Sequence, residues 1–93
     1  MIVCSCEIEI LIYQANSLKE KRQVVKSIIE RIKSKFNASV AEVGYNDLWN
    51  RALVGVAVVS NNKKICQSSV DKILSFIDND ERVEILNYNR EIF

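Results

Sequence analysis

The apolar residues of this 93-residue chain follow two different spacings, and the order of those spacings limits the fold. Alternating apolar residues predict strands with one face in the core, whereas apolar residues every three or four positions predict amphipathic helices. The predicted strands span residues 2–13, 38–45, 51–60 and 83–93, and the predicted helices span residues 17–37 and 63–78. The order βαββαβ predicts an α+β, ferredoxin-like two-layer sandwich, with two helices on one face of an antiparallel sheet.

Local signals refine these predictions. Ser17 and Glu20 fit the S-x-x-E capping box at the start of the first helix. Asn37 is expected to end that helix in the left-handed conformation. The strand at residues 51–60 is apolar on both faces, which predicts a position in the middle of the sheet. The broken alternation around residues 87–89 predicts a bulge or an edge in the last strand.

Length and hydropathy bound the class of protein. Ninety-three residues predict one domain covering residues 1–93. No apolar run approaches the roughly 20 residues of a membrane span. The first residues lack a basic segment, and Glu7 and Glu9 interrupt any signal-like apolar core. We therefore expect a cytoplasmic protein with no membrane association.

The composition removes several kinds of catalysis. The chain has no histidine, which excludes Ser-His-Asp and Cys-His mechanisms, and its two glycines, Gly44 and Gly55, do not build a phosphate-binding loop. We expect no catalytic residue and no cofactor, so an enzyme is the least favoured hypothesis. The only groups available to an enzyme would be Glu7, Glu9, Glu42, Asp47, Arg22 and the thiols.

The three cysteines offer a metal hypothesis and a simpler alternative. Cys4 and Cys6 lie two apart on a predicted strand, so both thiols point to one face, and Cys66 lies on a helix that packs there. Three thiolates can ligate a metal, but the spacing matches neither a C-x-x-C site nor a four-cysteine cluster. Burial as small apolar side chains is the favoured interpretation, with no metal expected.

The charge distribution is the strongest functional signal. Seven of the 13 basic residues lie between Lys19 and Lys35 with only two acidic residues, which gives this segment a net charge of +5 and the rest of the chain −4. Such a helix predicts an anionic partner bound through phosphate contacts, although a solvated helix face is the alternative. The candidate nucleic-acid-binding residues are Lys19, Lys21, Arg22, Lys26 and Lys33. On a helical wheel Lys21 lies nearer the apolar side, where its partner would be the sheet edge or the following turn.

A polar and aromatic segment between the second and third strands is a second candidate surface. It predicts either a recognition tip or, if the tryptophan packs back on the core edge, a hairpin anchor. Its residues are Tyr45, Asn46, Asp47, Trp49 and Arg51. Ion pairs of Lys21 and Arg22 with Glu42 and Asp47 would give the same residues a structural role.

The face of the sheet opposite the helices is a third surface. Its first strand is expected to show Glu7 and Glu9, which repel phosphate, and residues 51–60 contain no aromatic RNA-binding motif. Base stacking on the sheet, as in an RRM, is therefore disfavoured. The apolar residues of the third strand instead raise the hypothesis of a homodimeric protein-interaction module that uses this face or the Trp49 loop. The alternative is that only part of the face is apolar and that the glutamates keep it hydrated.

One segment resembles a known family. Residues 17–43, SLKEKRQVVKSIIERIKSKFNASVAEV, followed by Asp47, Trp49 and ALVGVAVVS at 52–60, resemble the YlxP-like family of small bacterial proteins, a domain of unknown function. The resemblance implies a ferredoxin-like fold. It also implies a connection to RNA or the ribosome, because genes of the family often neighbour translation and ribosome-assembly genes. The leading hypothesis is a non-enzymatic protein that binds RNA or a ribosomal particle through its basic first helix.

Overall fold

The computed structural model describes all 93 residues and has six elements in the predicted order. The strands are β1 (Ile2–Ile12), β2 (Ser39–Gly44), β3 (Arg51–Ser60) and β4 (Val83–Ile92), and the helices are α1 (Leu18–Lys35) and α2 (Lys63–Asp78). The sheet order is β2-β3-β1-β4 with every neighbouring pair antiparallel. The predicted ferredoxin-like fold is confirmed, and β3 lies inside the sheet as its two apolar faces predicted.

The core lies between the sheet and the two helices. The even-numbered residues from 4 to 12 in β1 and from 52 to 58 in β3 are buried and form one apolar cluster with α1 and α2. From α1 the cluster takes Val25, Ile28 and Ile32, and from α2 it takes Val70, Ile73 and Ile77. Because successive strand residues point to opposite faces, the odd-numbered residues of β1 and β3 lie on the open face.

Two irregularities differ in detail from the sequence prediction. The β1–β4 register shifts between Glu9 and Ile10, which leaves Leu86 as the extra residue of a bulge in the edge strand β4. The bulge was predicted slightly further along the strand. Asn37 was expected to close α1 in the left-handed conformation, and this was wrong. The cap is Phe36 in an extended conformation, and its side chain packs on the core.

An acid–base pair in the α2–β4 turn connects that turn to α1. The Arg82 guanidinium donates to both carboxylate oxygens of Asp80, at 3.0 and 2.7 Å, and also to the Ser27 hydroxyl at 3.3 Å. The hydrogen bond from Arg82 lowers the pKa of the Asp80 carboxyl below its ordinary value of 3.8. The folded state therefore favours ionised Asp80, and the stabilisation is present above pH 3.8 and lost as pH falls through the lowered pKa.

We predict that Asp80→Asn is less stable than the wild type at neutral pH, and that the difference shrinks as the pH falls below 3.8. Urea unfolding across this pH range measures the difference. Asp78→Asn is the matched control, because Asp78 is exposed and forms no ion pair. A constant stability difference across the pH range would contradict the assignment.

Candidate nucleic-acid interface

The basic residues of α1 form an exposed stripe along the flank that faces β2. Lys19, Arg22, Lys26 and Lys33 are all exposed, and none of them forms an ion pair. The side chains of the last three line a groove of about 270 Å³ between α1 and β2. The helical spacing thus brings four of the five predicted residues onto one surface, which we call the basic stripe.

Two carboxylates also border the groove, and one of them is neutralised. Glu42 receives the ammonium of Lys21, whereas Glu30 forms no ion pair. A third carboxylate, that of Glu20, is used at the start of α1. There it accepts from the backbone N–H of Asn16 at 2.8 Å, while the Ser17 hydroxyl accepts from the N–H of Glu20 at 3.2 Å. The predicted capping box is therefore present, and the groove keeps a net positive charge.

Lys21 does not belong to the basic stripe. Its side chain is 0% exposed, and its ammonium donates to Glu42 Oε2 at 2.5 Å and to the carbonyl of Tyr45 at 3.1 Å. A buried ammonium whose donors are engaged inside the protein is not available to a phosphate. The prediction of Lys21 as a phosphate contact is corrected. The position of Lys21 near the apolar side of the helical wheel already indicated burial. The hypothesised ion pair with Glu42 is formed.

The β2–β3 loop, residues 45–50, carries exposed aromatic side chains. Trp49 is 51% exposed and Tyr45 is 44% exposed, so Trp49 is only half covered by the protein. Asn46 and Asp47 are also exposed, and Asp47 forms no pair with Arg22.

Arg51, the fifth residue predicted for this surface, contacts the sheet and not the loop. Arg51 begins β3, and its guanidinium donates to Glu9 Oε2 on β1 at 3.2 Å. Arg51 therefore lies on the open sheet face, at the end of the inner strand β3.

The loop backbone is held at several points. Tyr45 adopts a left-handed conformation with φ of 60°, and its carbonyl accepts from the Leu48 N–H at 3.0 Å and from Lys21. At the other end, the Ile12 N–H donates to the carbonyl of Asn50 at 2.8 Å. The contact with Lys21 places the loop beside the first turns of α1, where the basic stripe begins.

The open sheet face is acidic and only partly apolar. Glu7 and Glu91 are exposed on it without ion-pair partners, at the rim of a shallow groove of about 460 Å³. The floor of the groove is made of small residues, including Ala41, Gly55 and Ala57. Of the two carboxylates predicted on this face, Glu7 is exposed, whereas Glu9 is partly covered and paired with Arg51. The unpaired carboxylates of Glu7 and Glu91 disfavour phosphate binding there.

The three thiols are part of the core. Cys4, Cys6 and Cys66 are all buried and free, and the Cys66 thiol donates to the carbonyl of Val58 at 3.2 Å. Burial and the neighbouring Cys66 raise the pKa of the Cys4 thiol, and burial also raises that of Cys6. These two thiols are held in the neutral form, which is a poor metal ligand and a poor nucleophile. No three His, Cys, Asp or Glu side chains are grouped as metal ligands.

Comparison with known proteins agrees with the resemblance seen in the sequence. Residues 3–90 match the family described as "Protein of unknown function (DUF503)". The chain belongs to this family. It is also 44% identical over 78 residues to the uncharacterized protein YlxP of Bacillus subtilis (strain 168), which covers 84% of this chain and 85% of that protein.

The fold recurs outside the family. A de novo designed protein with a ferredoxin fold superposes with a TM-score of 0.55 and 15% identity, over 99% of this chain and 85% of the designed one. This likeness concerns the fold alone.

Neither α1 nor α2 is long and apolar enough to cross a bilayer.

We predict that Lys21→Met lowers the free energy of unfolding by about 3 kcal/mol, because it leaves Glu42 without its partner in a largely buried position. The double variant Lys21→Met/Glu42→Leu should recover most of this loss. Urea unfolding measures both. Lys26→Met, on the exposed stripe of the same helix, is the control and should change stability by less than about 0.5 kcal/mol. A Lys21→Met variant as stable as this control would show that the buried pair does not stabilise the fold.

Proposed function

We propose that this chain is a non-enzymatic RNA-binding domain whose basic stripe contacts phosphates. The observation that carries the proposal is that four of the nine basic residues without an ion pair lie together on one flank of α1. Lys21, Arg51, Arg82 and Arg90 are engaged with carboxylates of the protein itself, whereas every residue of the basic stripe is exposed and unpaired. The other exposed and unpaired basic residues lie outside the stripe and are Arg31, Lys35, Lys63, Lys64 and Lys72. The protein's own ion pairs thus leave the stripe free for an external anion.

The arrangement of the stripe suits an extended polyanion. Lys19 and Lys33 are separated by 14 residues of one helix, which is about 21 Å along its axis. Lys26 and Lys33 are two turns apart, or about 10 Å. A single small anion does not contact charges spread over this length, whereas a nucleic-acid backbone does.

The position of charge along α1 also favours binding over simple solvation. Lys19 and Arg22 lie in its first two turns, where the helix dipole makes positive charge unfavourable. Lys33 and Lys35, by contrast, lie in the last turn, where positive charge interacts favourably with the dipole. An anion bound at the first two turns would offset this unfavourable placement.

A ribosomal particle is the RNA-containing partner that the family resemblance implies. In this proposal the stripe supplies contacts that are independent of sequence, and the β2–β3 loop supplies contacts that depend on the shape of the RNA. The homodimer hypothesis gains no comparable support from the structure. A two-fold pairing of the open sheet faces would bring unpaired Glu7 and Glu91 carboxylates into the interface, which is unfavourable unless cations neutralise them.

The test is the salt dependence of binding to labelled fragments of ribosomal RNA. Lys26→Gln/Lys33→Gln should weaken binding and make the slope of log K against log salt less steep by about 1.4, which corresponds to two phosphate contacts on single-stranded RNA. Fluorescence anisotropy at several salt concentrations measures both quantities.

Lys63→Gln/Lys64→Gln on α2 is the matched control for this experiment. It removes the same charge from two exposed lysines that form no ion pair and lie outside the stripe. The proposal requires that this control keep the wild-type slope. Equal changes of slope in the two double variants would mean that RNA responds only to net charge, and the absence of binding would reject the proposal.

A further inference from the structure

The β2–β3 loop concentrates exposed apolar surface at one tip. Tyr45, Leu48 and Trp49 are 44%, 43% and 51% exposed, and they fall within five consecutive residues. Trp49 is the only tryptophan of the chain. Exposed aromatic side chains on a polar loop are typical of binding surfaces, because a partner that covers them removes their apolar ring surface from water.

The tip is presented on a backbone that is already fixed. The carbonyl of Tyr45 accepts two hydrogen bonds, from Leu48 N–H at 3.0 Å and from the buried Lys21 ammonium at 3.1 Å. The hydrogen bond from Ile12 N–H to Asn50, at 2.8 Å, ties the end of the loop to β1. A partner that docks on this loop loses less affinity to ordering of the backbone than it would on a free loop.

The chemistry of the tip distinguishes a base from a phosphate. Asp47 is exposed beside the aromatic residues and forms no ion pair, so it repels a phosphate at this end of the surface. Its carboxylate accepts hydrogen bonds from base amino groups, and the Asn46 amide both donates and accepts. The tip therefore suits a base, while the adjoining basic stripe suits the backbone that carries it.

We infer that the RNA bound by the basic stripe is recognised at an unpaired nucleotide, whose base stacks on Trp49. The inference rests on the proposed RNA-binding function and names its ligand as single-stranded or looped RNA. In a duplex the faces of the bases are covered by their neighbours, so an aromatic side chain on a fixed loop reaches them only where a strand is unpaired. Lys21 acts as a positioning residue, because it holds the loop through Tyr45.

The experiment uses the intrinsic fluorescence of Trp49 and an RNA oligonucleotide of about 12 nucleotides, within the usual range of single-strand site sizes. The same oligonucleotide is presented as a single strand and as a duplex with its complement. We expect the single strand to quench Trp49 emission and to bind at least about tenfold more tightly than the duplex, in keeping with the usual stacking energy of one base.

Two variants locate the stacking. Trp49→Leu should weaken single-strand binding by about tenfold, without changing the salt slope that the basic stripe sets. Tyr88→Leu is the matched control, because Tyr88 is an aromatic residue with the same 51% exposure but lies on β4. Its binding should equal that of the wild type. Both variants alter half-exposed side chains, and circular dichroism verifies that they fold.

The outcomes separate this inference from the proposed function. Equal affinity for single strand and duplex, or an unchanged affinity of Trp49→Leu, overturns the inference even when Lys26→Gln/Lys33→Gln still lowers the salt slope. In that case the stripe binds RNA by charge alone. If neither form of RNA binds, both proposals fail. Quenching together with the Trp49-specific loss supports the inference.

Discussion

The ammonium of Lys21 lies inside the protein at the point where α1, β2 and the β2–β3 loop meet. It donates to Glu42 on the strand and to the Tyr45 carbonyl at the start of the loop. A buried charge is tolerated only when partners compensate its loss of water, so the helix, the strand and the loop must keep their relative positions. The candidate interface depends on this contact, because it joins the surface that carries the positive charges to the loop that carries the aromatic side chains.

The remaining basic side chains are either paired with carboxylates of the protein or exposed and unpaired. Arg82 pairs with Asp80 inside the α2–β4 turn and ties that turn to α1 through Ser27, and Arg90 binds Asp71 and the Gln67 carbonyl on α2. Arg90 thus holds α2 against β4, at the edge of the sheet opposite β2, and Arg82 holds the α2–β4 turn against α1. The residues of the basic stripe, on the β2 side, form no ion pairs of this kind. A nearly neutral protein therefore has positive charge on one flank and unpaired carboxylates on the open sheet face, an asymmetry that would orient it toward the polyanion that we propose.

The proposed interface differs from the sheet-face mode of RNA recognition that this topology often supports. Glu7 and Glu91 occupy positions on the open face where an RNA backbone or base would approach. The aromatic residues are instead at the end of the β2–β3 hairpin, and the phosphate contacts come from a helix flank. In this proposal, the βαββαβ framework presents its nucleic-acid surface on a helix flank and a hairpin loop instead of on the sheet.

The sequence by itself determined the order of the elements, the central position of β3 and the face on which the cysteines lie. These depend on periods of 2 and 3.6 residues, which are local properties of the chain. It also predicted the capping box at Ser17 and placed Lys19, Arg22, Lys26 and Lys33 on one flank of a helix.

Only the tertiary structure decided what each charge does. Lys21 and Arg22 are neighbours in sequence and alike in chemistry, yet one is buried beside Glu42 and the other is free in solvent. The difference arises because Glu42 and Tyr45 lie more than 20 residues away, and folding brings them to the first turns of α1. The exposure of Trp49 and the extended cap at Phe36 were decided in the same way, by packing between segments that are distant in sequence. Local periodicity predicts which face a residue occupies, but the partner that faces it comes from the fold.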